Sequence, residues 1–193
     1  MARSLFSPDL LRSLKQFHRL AANRLSLRGE KKWISDILQS QGYQPLSSGV
    51  FGATFVKNSH VIKLVQSKES RAYLNYARFC RRHHAQYRVL PKIYQILTVA
   101  RYSLVIMERL TLSEKTGQPL SKSLRRAIKG WDSIPEASRV LGRKAQSLEF
   151  VLNKIEQIRT HDPRSQWDVH AGNILFRKEA GQYKMVLTDP ITY

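Results

Sequence analysis

The chain has 193 residues, 42% of them hydrophobic, and carries 33 Lys and Arg against 14 Asp and Glu, a formal net charge of +19. This length suits one domain or one small two-lobed unit, and the apolar share is enough for a packed core, which excludes wholesale disorder. No run of about eighteen apolar residues occurs, which excludes a membrane-spanning helix, and the start at Met1-Ala2-Arg3 lacks the pattern of a secretory leader. Cys80 is the single cysteine, so no internal disulfide is expected and a reducing cytoplasm is the expected compartment. The charge is uneven: from Lys57 to Arg101 there are ten Lys or Arg and one acid, Glu69. Such an excess attracts polyanions, nucleic acid among them, and acidic protein surfaces. A solvated basic face reads the same way, because no aromatic-interleaved motif of a single-strand binder appears along the sequence.

Ser7-Pro8-Asp9 opens a first helix, with a capping Ser, a Pro suited to the first helical position and an acid that complements the dipole. Leu10, Leu14, Phe17, Ala21 and Leu25 then recur at helical spacing, with Arg12, Lys15 and Arg19 off that stripe. A second helix is expected from Glu30 to Gln39, burying Trp33, Ile34, Ile37 and Leu38 and stopping at Gly42. A basic amphipathic helix can lie on a membrane, but packing on its own domain is the expectation here.

From Tyr43 the pattern changes to short strands: Tyr43 to Ser48, Ala53 to Lys57 and His60 to Val65, with a tight turn at Lys57-Asn58-Ser59-His60. A helix from Lys68 to His84 carries Tyr73, Leu74, Ala77 and Cys80, and strands Ile93 to Val99 and Tyr102 to Met107 meet at Ala100-Arg101. The pattern predicts a small antiparallel sheet with one helix inserted after its third strand. Leu112 to Pro135 is polar and reads as a linker holding one helix around Ser123 to Ile128. A long helix follows, from Pro135 to Ile158, with Leu141, Leu148, Leu152 and Ile155 on its buried face and Gly142 as its weak position. The tail predicts a strand Ile174 to Phe176, a turn at Ala180-Gly181 and a strand Met185 to Leu187.

Three stretches carry candidate chemistry. In Ser47-Ser48-Gly49-Val50-Phe51-Gly52-Ala53-Thr54, two glycines three apart sit between one strand and the next. Glycine there lets backbone N–H groups approach phosphate oxygens, although an ordinary hairpin turn uses glycine equally well. Val61-Ile62-Lys63 places a lysine inside an apolar strand, opposite in direction to Ile62 and Leu64. Lys63 is either a solvent-facing residue or a point charge for a phosphate. The third stretch is Trp167-Asp168-Val169-His170-Ala171-Gly172-Asn173-Ile174, followed after a hairpin by Thr188-Asp189-Pro190. An Asp, an Asn five residues later at the start of a strand, and an acid at the end of the next strand form the decisive combination. His170 reads as a general base, a metal ligand or, as expected, a hydrogen-bonding residue that holds its loop in shape.

In these residues the chain resembles protein-kinase-like folds over about Leu46 to Tyr193, with the Asp-x-His-x-Gly-Asn form shared by small-molecule phosphotransferases. It is more closely similar to the early serine/threonine protein kinases of T-seven-like podophages (autographiviruses). That similarity lies in the glycine loop with its hairpin and Val61-Ile62-Lys63, in Glu69, Ala72-Tyr73 and Phe79-Cys80-Arg81, and in Asp168 to Phe176 with Thr188-Asp189-Pro190. The resemblance implies an α+β, minimal bilobal kinase-like fold: basic N-terminal helices (1–45), an N-lobe (46–110) with an antiparallel sheet and one helix, and a reduced helical C-lobe (111–193).

The resemblance also implies ATP with Mg²⁺ or Mn²⁺. Gly49, Gly52 and Lys63 would meet the phosphates, Asp168 would position the acceptor hydroxyl, and Asn173 and Asp189 would hold metal. Glu69 is either the partner of Lys63 or a helix N-terminal acid, and Glu108 sits by position at the hinge against which adenine stacks. Host proteins, RNA polymerase among them, are the implied partners, in the host cytoplasm and with no membrane. Gln166-Trp167 stand where His-Arg usually precede the catalytic Asp, and Pro190-Ile191 replace Phe-Gly. No activation segment, Ala-Pro-Glu motif or basic C-terminal region is expected after Asp189 in this sequence. The rival readings are a non-catalytic scaffold that grips an acidic host target, a small-molecule kinase and an AMP-transferring variant.

Overall fold

The computed structural model describes residues 6–21, 24–49, 52–112 and 145–192. The predicted linker beyond Leu112, its helix at Ser123 to Ile128, and the first part of the predicted long helix through Leu141 and Gly142 lie outside them. By its contacts the chain divides into two units: Met1–Ser70 with Ile93–Arg109, and Arg71–Lys92 with Leu110–Tyr193.

The first unit begins with α1 (Pro8–Ala21) and α2 (Leu27–Ser40). Ser7 caps α1, its Oγ accepting from the Leu10 N–H at 3.1 Å, and Ser26 caps α2 through the Gly29 N–H at 3.1 Å. Each such cap contributes about 1 kcal/mol. Gly42 ends the second helix at φ 82°, a left-handed conformation that costs glycine little. The strands β1 (Gln44–Ser48), β2 (Gly52–Lys57), β3 (His60–Gln66), β4 (Ile93–Val99) and β5 (Tyr102–Glu108) form one antiparallel sheet in the order β1-β2-β3-β5-β4. Asn58 at φ 52° and Ala100 at φ 51° make the two tight turns.

Alternation along the strands decides which face the helices cover. Phe55, Ile62, Leu64, Leu104 and Ile106 pack with Leu10, Leu14 and Phe17 of α1 and with Ile34 and Leu38 of α2. The two basic helices therefore pack on their own sheet, and each fully buried Leu or Ile contributes about 1.5–3 kcal/mol. Two apolar expectations fail. Leu25 is exposed in the turn after α1, and Trp33 is 37% exposed, its ring stacked on Phe17 at 4.0 Å instead of entering the core. A flat ring covering a core aromatic removes apolar area from water without full burial.

Beside Ile34 and Leu38, α2 buries a charged residue, Glu30, with 0% exposure. Its Oε1 accepts from Arg101 Nε at 3.0 Å and its Oε2 from the Arg101 backbone N–H at 3.2 Å. Arg101 also donates to the Leu25 carbonyl, and Tyr102 Oη to the Leu27 carbonyl at 3.1 Å. The β4–β5 turn is thereby fastened to the start of α2. Removing the half-exposed Arg101 would leave the buried Glu30 carboxylate without its charged partner, the costly way to break such a pair.

The second unit holds α3 (Arg71–His83), α4 (Ala145–Thr160), β6 (Gln166–Trp167), a 3₁₀ turn (Ala171–Asn173), β7 (Ile174–Glu179), β8 (Gln182–Leu187) and β9 (Ile191–Thr192). β7 and β8 form an antiparallel hairpin, closed at Ala180 (φ 47°) and Gly181 (φ 77°), and β6 pairs with β9. Tyr73, Tyr76, Ala77 and Cys80 on α3 and Val151, Leu152 and Ile155 on α4 are buried. α3 begins three residues later than expected, because residues 67–70 form a turn in which the Ser70 N–H reaches the Gln66 carbonyl at 2.9 Å.

Candidate active site

β6 delivers Asp168. Trp167 pairs with Ile191, and the Asp168 N–H is donated to the Pro190 carbonyl at 2.8 Å. Asn173, at the end of the 3₁₀ turn, closes the loop: its Nδ2 donates to the Asp168 carbonyl at 2.8 Å and to Asp168 Oδ2 at 3.1 Å. The Asn173 carbonyl in turn accepts from the Thr188 N–H at 2.9 Å and from Thr188 Oγ1 at 3.1 Å. Asp189 is thus gripped on both sides, through Thr188 to Asn173 and through Pro190 to Asp168. The three residues singled out by spacing are brought together in one hydrogen-bonded cluster.

His170 shapes this loop. Its Nδ1 accepts the Gly172 N–H at 3.0 Å, and a Cβ on Gly172 would stand 2.8 Å from the imidazole. Its Nε2 lies 3.7 Å from Asp168 Oδ1. A side chain at 172 would therefore push the imidazole off its place over the loop.

Two braces hold the cluster from outside. Tyr76 Oη of α3 donates to the Leu187 carbonyl at 2.5 Å, and the Leu187 N–H reaches the Val89 carbonyl at 2.8 Å, fixing the end of β8 just before Thr188. Burial, and after it the negative charge of Asp189, push the neighbouring Tyr73 hydroxyl well above its ordinary value. On the other side, Trp167 Nε1 donates to Glu156 Oε2 at 2.8 Å, and Arg159 clamps the same carboxylate with Nε at 2.8 Å and Nη2 at 2.5 Å. Hydrogen bonds from Arg159, outweighing burial, hold the Glu156 carboxyl below its ordinary value. Arg159 also reaches the Ser165 carbonyl at 3.2 Å, so α4 positions the strand that carries Asp168.

Asn173, with its Nδ2 spent on Asp168, keeps an amide oxygen as its acceptor end, and Asp189 adds a carboxylate. Hard oxygen donors of this kind fit Mg²⁺ or Mn²⁺. Among the described residues no three His, Cys, Asp or Glu side chains converge on one point. A cation here would rest on few protein ligands, as Mg²⁺ with phosphate oxygens does.

The other predicted residues belong to the first unit. Lys63 stands mid-strand in β3, opposite Thr54 and Val105, half-buried on the face away from Ile62 and Leu64. Glu69 lies in the turn after β3, two residues ahead of α3 and not within its first turn. Glu108 ends β5 opposite His60, and Arg109 next to it donates its N–H to the Ser59 carbonyl at 2.9 Å.

In the glycine loop the Gly49 N–H is donated to the Gly52 carbonyl at 3.0 Å. A Cβ on Gly52 would stand 2.2 Å from the Leu64 carbonyl oxygen, whereas one on Gly49 would meet nothing within 4 Å. Gly52 is therefore demanded by strand pairing. Lys31, which no sequence pattern singles out, reaches this loop from α2, its Nζ 2.6 Å from the Gly49 carbonyl and 3.2 Å from Ser48 Oγ. Burial holds its pKa below the ordinary lysine value. The i,i+3 spacing of Glu156 and Arg159 is visible along the chain, but their link to Trp167 is not.

A family model, described as Bacteriophage T7 protein kinase 0.7, matches residues 26–193. The match starts at Ser26, the cap of α2, and runs through the glycine loop, Lys63 and the whole Asp168 cluster. No curated protein matches the chain.

Proposed function

The chain belongs to the bacteriophage T7 protein kinase 0.7 family, and from that premise we propose that it transfers the γ-phosphate of ATP to serine and threonine of host proteins. The observation that carries this reading is the cluster in which Asn173 holds the Asp168 carboxylate and Asp189 is fixed between Thr188 and Pro190.

Asp168 carries the acceptor side of the reaction. Its Oδ2 is held by Asn173, and its side chain is 34% exposed, so Oδ1 is left to orient a substrate hydroxyl and accept its proton. Amide and backbone donors of Asn173, Gly172 and Thr188 hold this loop in place. Asn173 and Asp189 would hold Mg²⁺ or Mn²⁺, which when bound neutralises charge on the phosphates. Lys63 would pair with those phosphates, Glu69 would steady Lys63, and Gly49 and Gly52 would set the loop that covers them. Glu108 would end the strand against which the base rests. Trp167, which stands where an Arg usually precedes the catalytic Asp, would fix the strand before Asp168 through its bond to Glu156.

Host proteins, including the transcription machinery, are the proposed targets, and the host cytoplasm the proposed site of action. No helix among the described residues is long and apolar enough to cross a membrane. The net charge of +19 favours one second reading, a scaffold that inhibits an acidic host target by binding.

Incubation with γ-labelled ATP, Mg²⁺ and bacterial lysate, beside Asp168→Asn and Asp189→Asn, separates the two. Label on Ser and Thr of lysate proteins, lost in both variants, is the expected outcome. Wild-type protein that binds ATP yet labels nothing would leave the scaffold reading in its place.

A further inference from the structure

Outside the Asp168 cluster, the second unit carries a groove of about 370 Å³ between α3 and α4, lined by Arg78, Phe79, Arg82, Lys154, Ile158 and His161. Among the described residues, no carboxylate pairs with its cations. Arg78 donates to Asn75 Oδ1 at 2.9 Å and Lys154 to Gln157 Oε1 at 2.9 Å, both uncharged partners that also line the groove. The neighbouring acids are engaged elsewhere, Asp162 with Arg164 at 3.4 Å and Glu156 with Arg159. Cations left without counter-charge repel one another, a cost that an anionic ligand reverses.

The arrangement along the helices narrows the choice of ligand. Arg78 and Arg82 stand one turn apart on α3, about 6 Å along its axis, and Lys154 faces them from α4, with His161 just past the end of that helix. One aromatic ring lies among them and others stand beside the groove. Phe79 lines the groove and contacts His83 at 4.8 Å, while Phe150, outside the lining, stacks on Tyr87 at 5.0 Å with Lys154 Nζ 5.7 Å from its ring. An aromatic ring among basic residues, a combination no motif along the sequence shows, is thus assembled in space, with a second stacked pair beside it. A row of cations tracks a chain of phosphates, rings take unstacked bases, and Asn75 and Gln157 offer amides to base edges.

We infer that the α3–α4 groove binds single-stranded nucleic acid through its phosphates and bases. An acidic protein would use the same charge, but it gains nothing from the rings or the amides. The inference does not rest on the kinase assignment, since none of these side chains belongs to the Asp168 cluster.

The test is fluorescence anisotropy of the full chain with a short, labelled single-stranded RNA of mixed sequence, titrated across a series of salt concentrations. Arg78→Ala/Arg82→Ala is expected to weaken binding at least tenfold. It should also flatten the slope of log affinity against log salt by about 1.4, roughly 0.7 for each phosphate no longer neutralised. Lys15→Ala on α1 should leave both unchanged, and Arg78→Lys/Arg82→Lys should keep the slope, which separates lost charge from lost folding. Single-stranded DNA of the same sequence reports whether the sugar matters, and binding of either strand supports the site. An unchanged slope in the double Ala variant, duplex bound as tightly as single strand, or competition by polyglutamate as strong as by RNA at equal charge would overturn it. The last result would assign the groove to an acidic protein.

Discussion

Around Asp168 the chain is held by side chains: Asn173 on its carboxylate, His170 on Gly172, Thr188 on Asn173, Trp167 on Glu156. Around Gly52 the constraint lies in the backbone, where a strand approaches Leu64 so closely that no Cβ fits. The two regions therefore fail differently when changed. Loss of a side chain near Asp168 should misplace a reacting group while leaving the fold largely intact. Addition of a methyl at Gly52 should disturb the sheet first and chemistry only as a result.

Asn173→Ala is the sharpest way to break this contrast. It removes the donor that holds the Asp168 carboxylate, and a misplacement of this kind costs about 10²-fold or more in phosphoryl transfer. Steady-state kinetics should show the loss in kcat, with a thermal midpoint close to wild type. A large fall in stability instead would mean that the loop is part of the core.

Gly52→Ala should lower stability by about 1–3 kcal/mol as the pairing of β2 with β3 adjusts. In a chain of this size that is a fall of several degrees in the thermal midpoint. Gly49→Ala, with no atom within 4 Å of the new methyl, should stay within about 0.5 kcal/mol. Equal effects at the two positions would remove the backbone argument.

Glu156→Gln tests the brace. Because the folded carboxyl is held below its ordinary value of 4.5, its contribution is fully present above that pH and is lost as pH falls through the folded value. The variant should be less stable by about 1 kcal/mol at neutral pH. That gap should close on acidification, as read from thermal midpoints at a series of pH values. A gap that widens in acid would reverse the assignment.

Much of the fold could be read along the chain, because alternation and turn residues are local. Ile93–Val99 has the bounds that its β-branched run predicts, and Asn58, Ala100 and Ala180-Gly181 turn where expected. The β7–β8 hairpin runs further than predicted because Arg177, Lys178 and Glu179 pair across it despite their polarity. The two-residue pairing of β6 with β9 was invisible, since two residues carry no period.

The spacing of Asp168, Asn173 and Asp189 announced the second-unit cluster because the hairpin between Asn173 and Asp189 fixes their separation. What holds the cluster, Tyr76 on Leu187 and Glu156 on Trp167, depends on partners distant in sequence. Glu30 shows the same limit. A helical acid reads as exposed until Arg101 is known to meet it.

That pairing has a consequence for the order of events at the ribosome. Glu30 and Arg101 are 71 residues apart, and the apolar stripe of α1 and α2 finds its cover partly in Leu104 and Ile106. Helices made first keep part of that stripe uncovered, even after Phe55, Ile62 and Leu64 have been made, until the strand made last in their sheet has emerged. During that interval the nascent chain is a client for holding factors, and translation halted before β5 would release an aggregation-prone fragment.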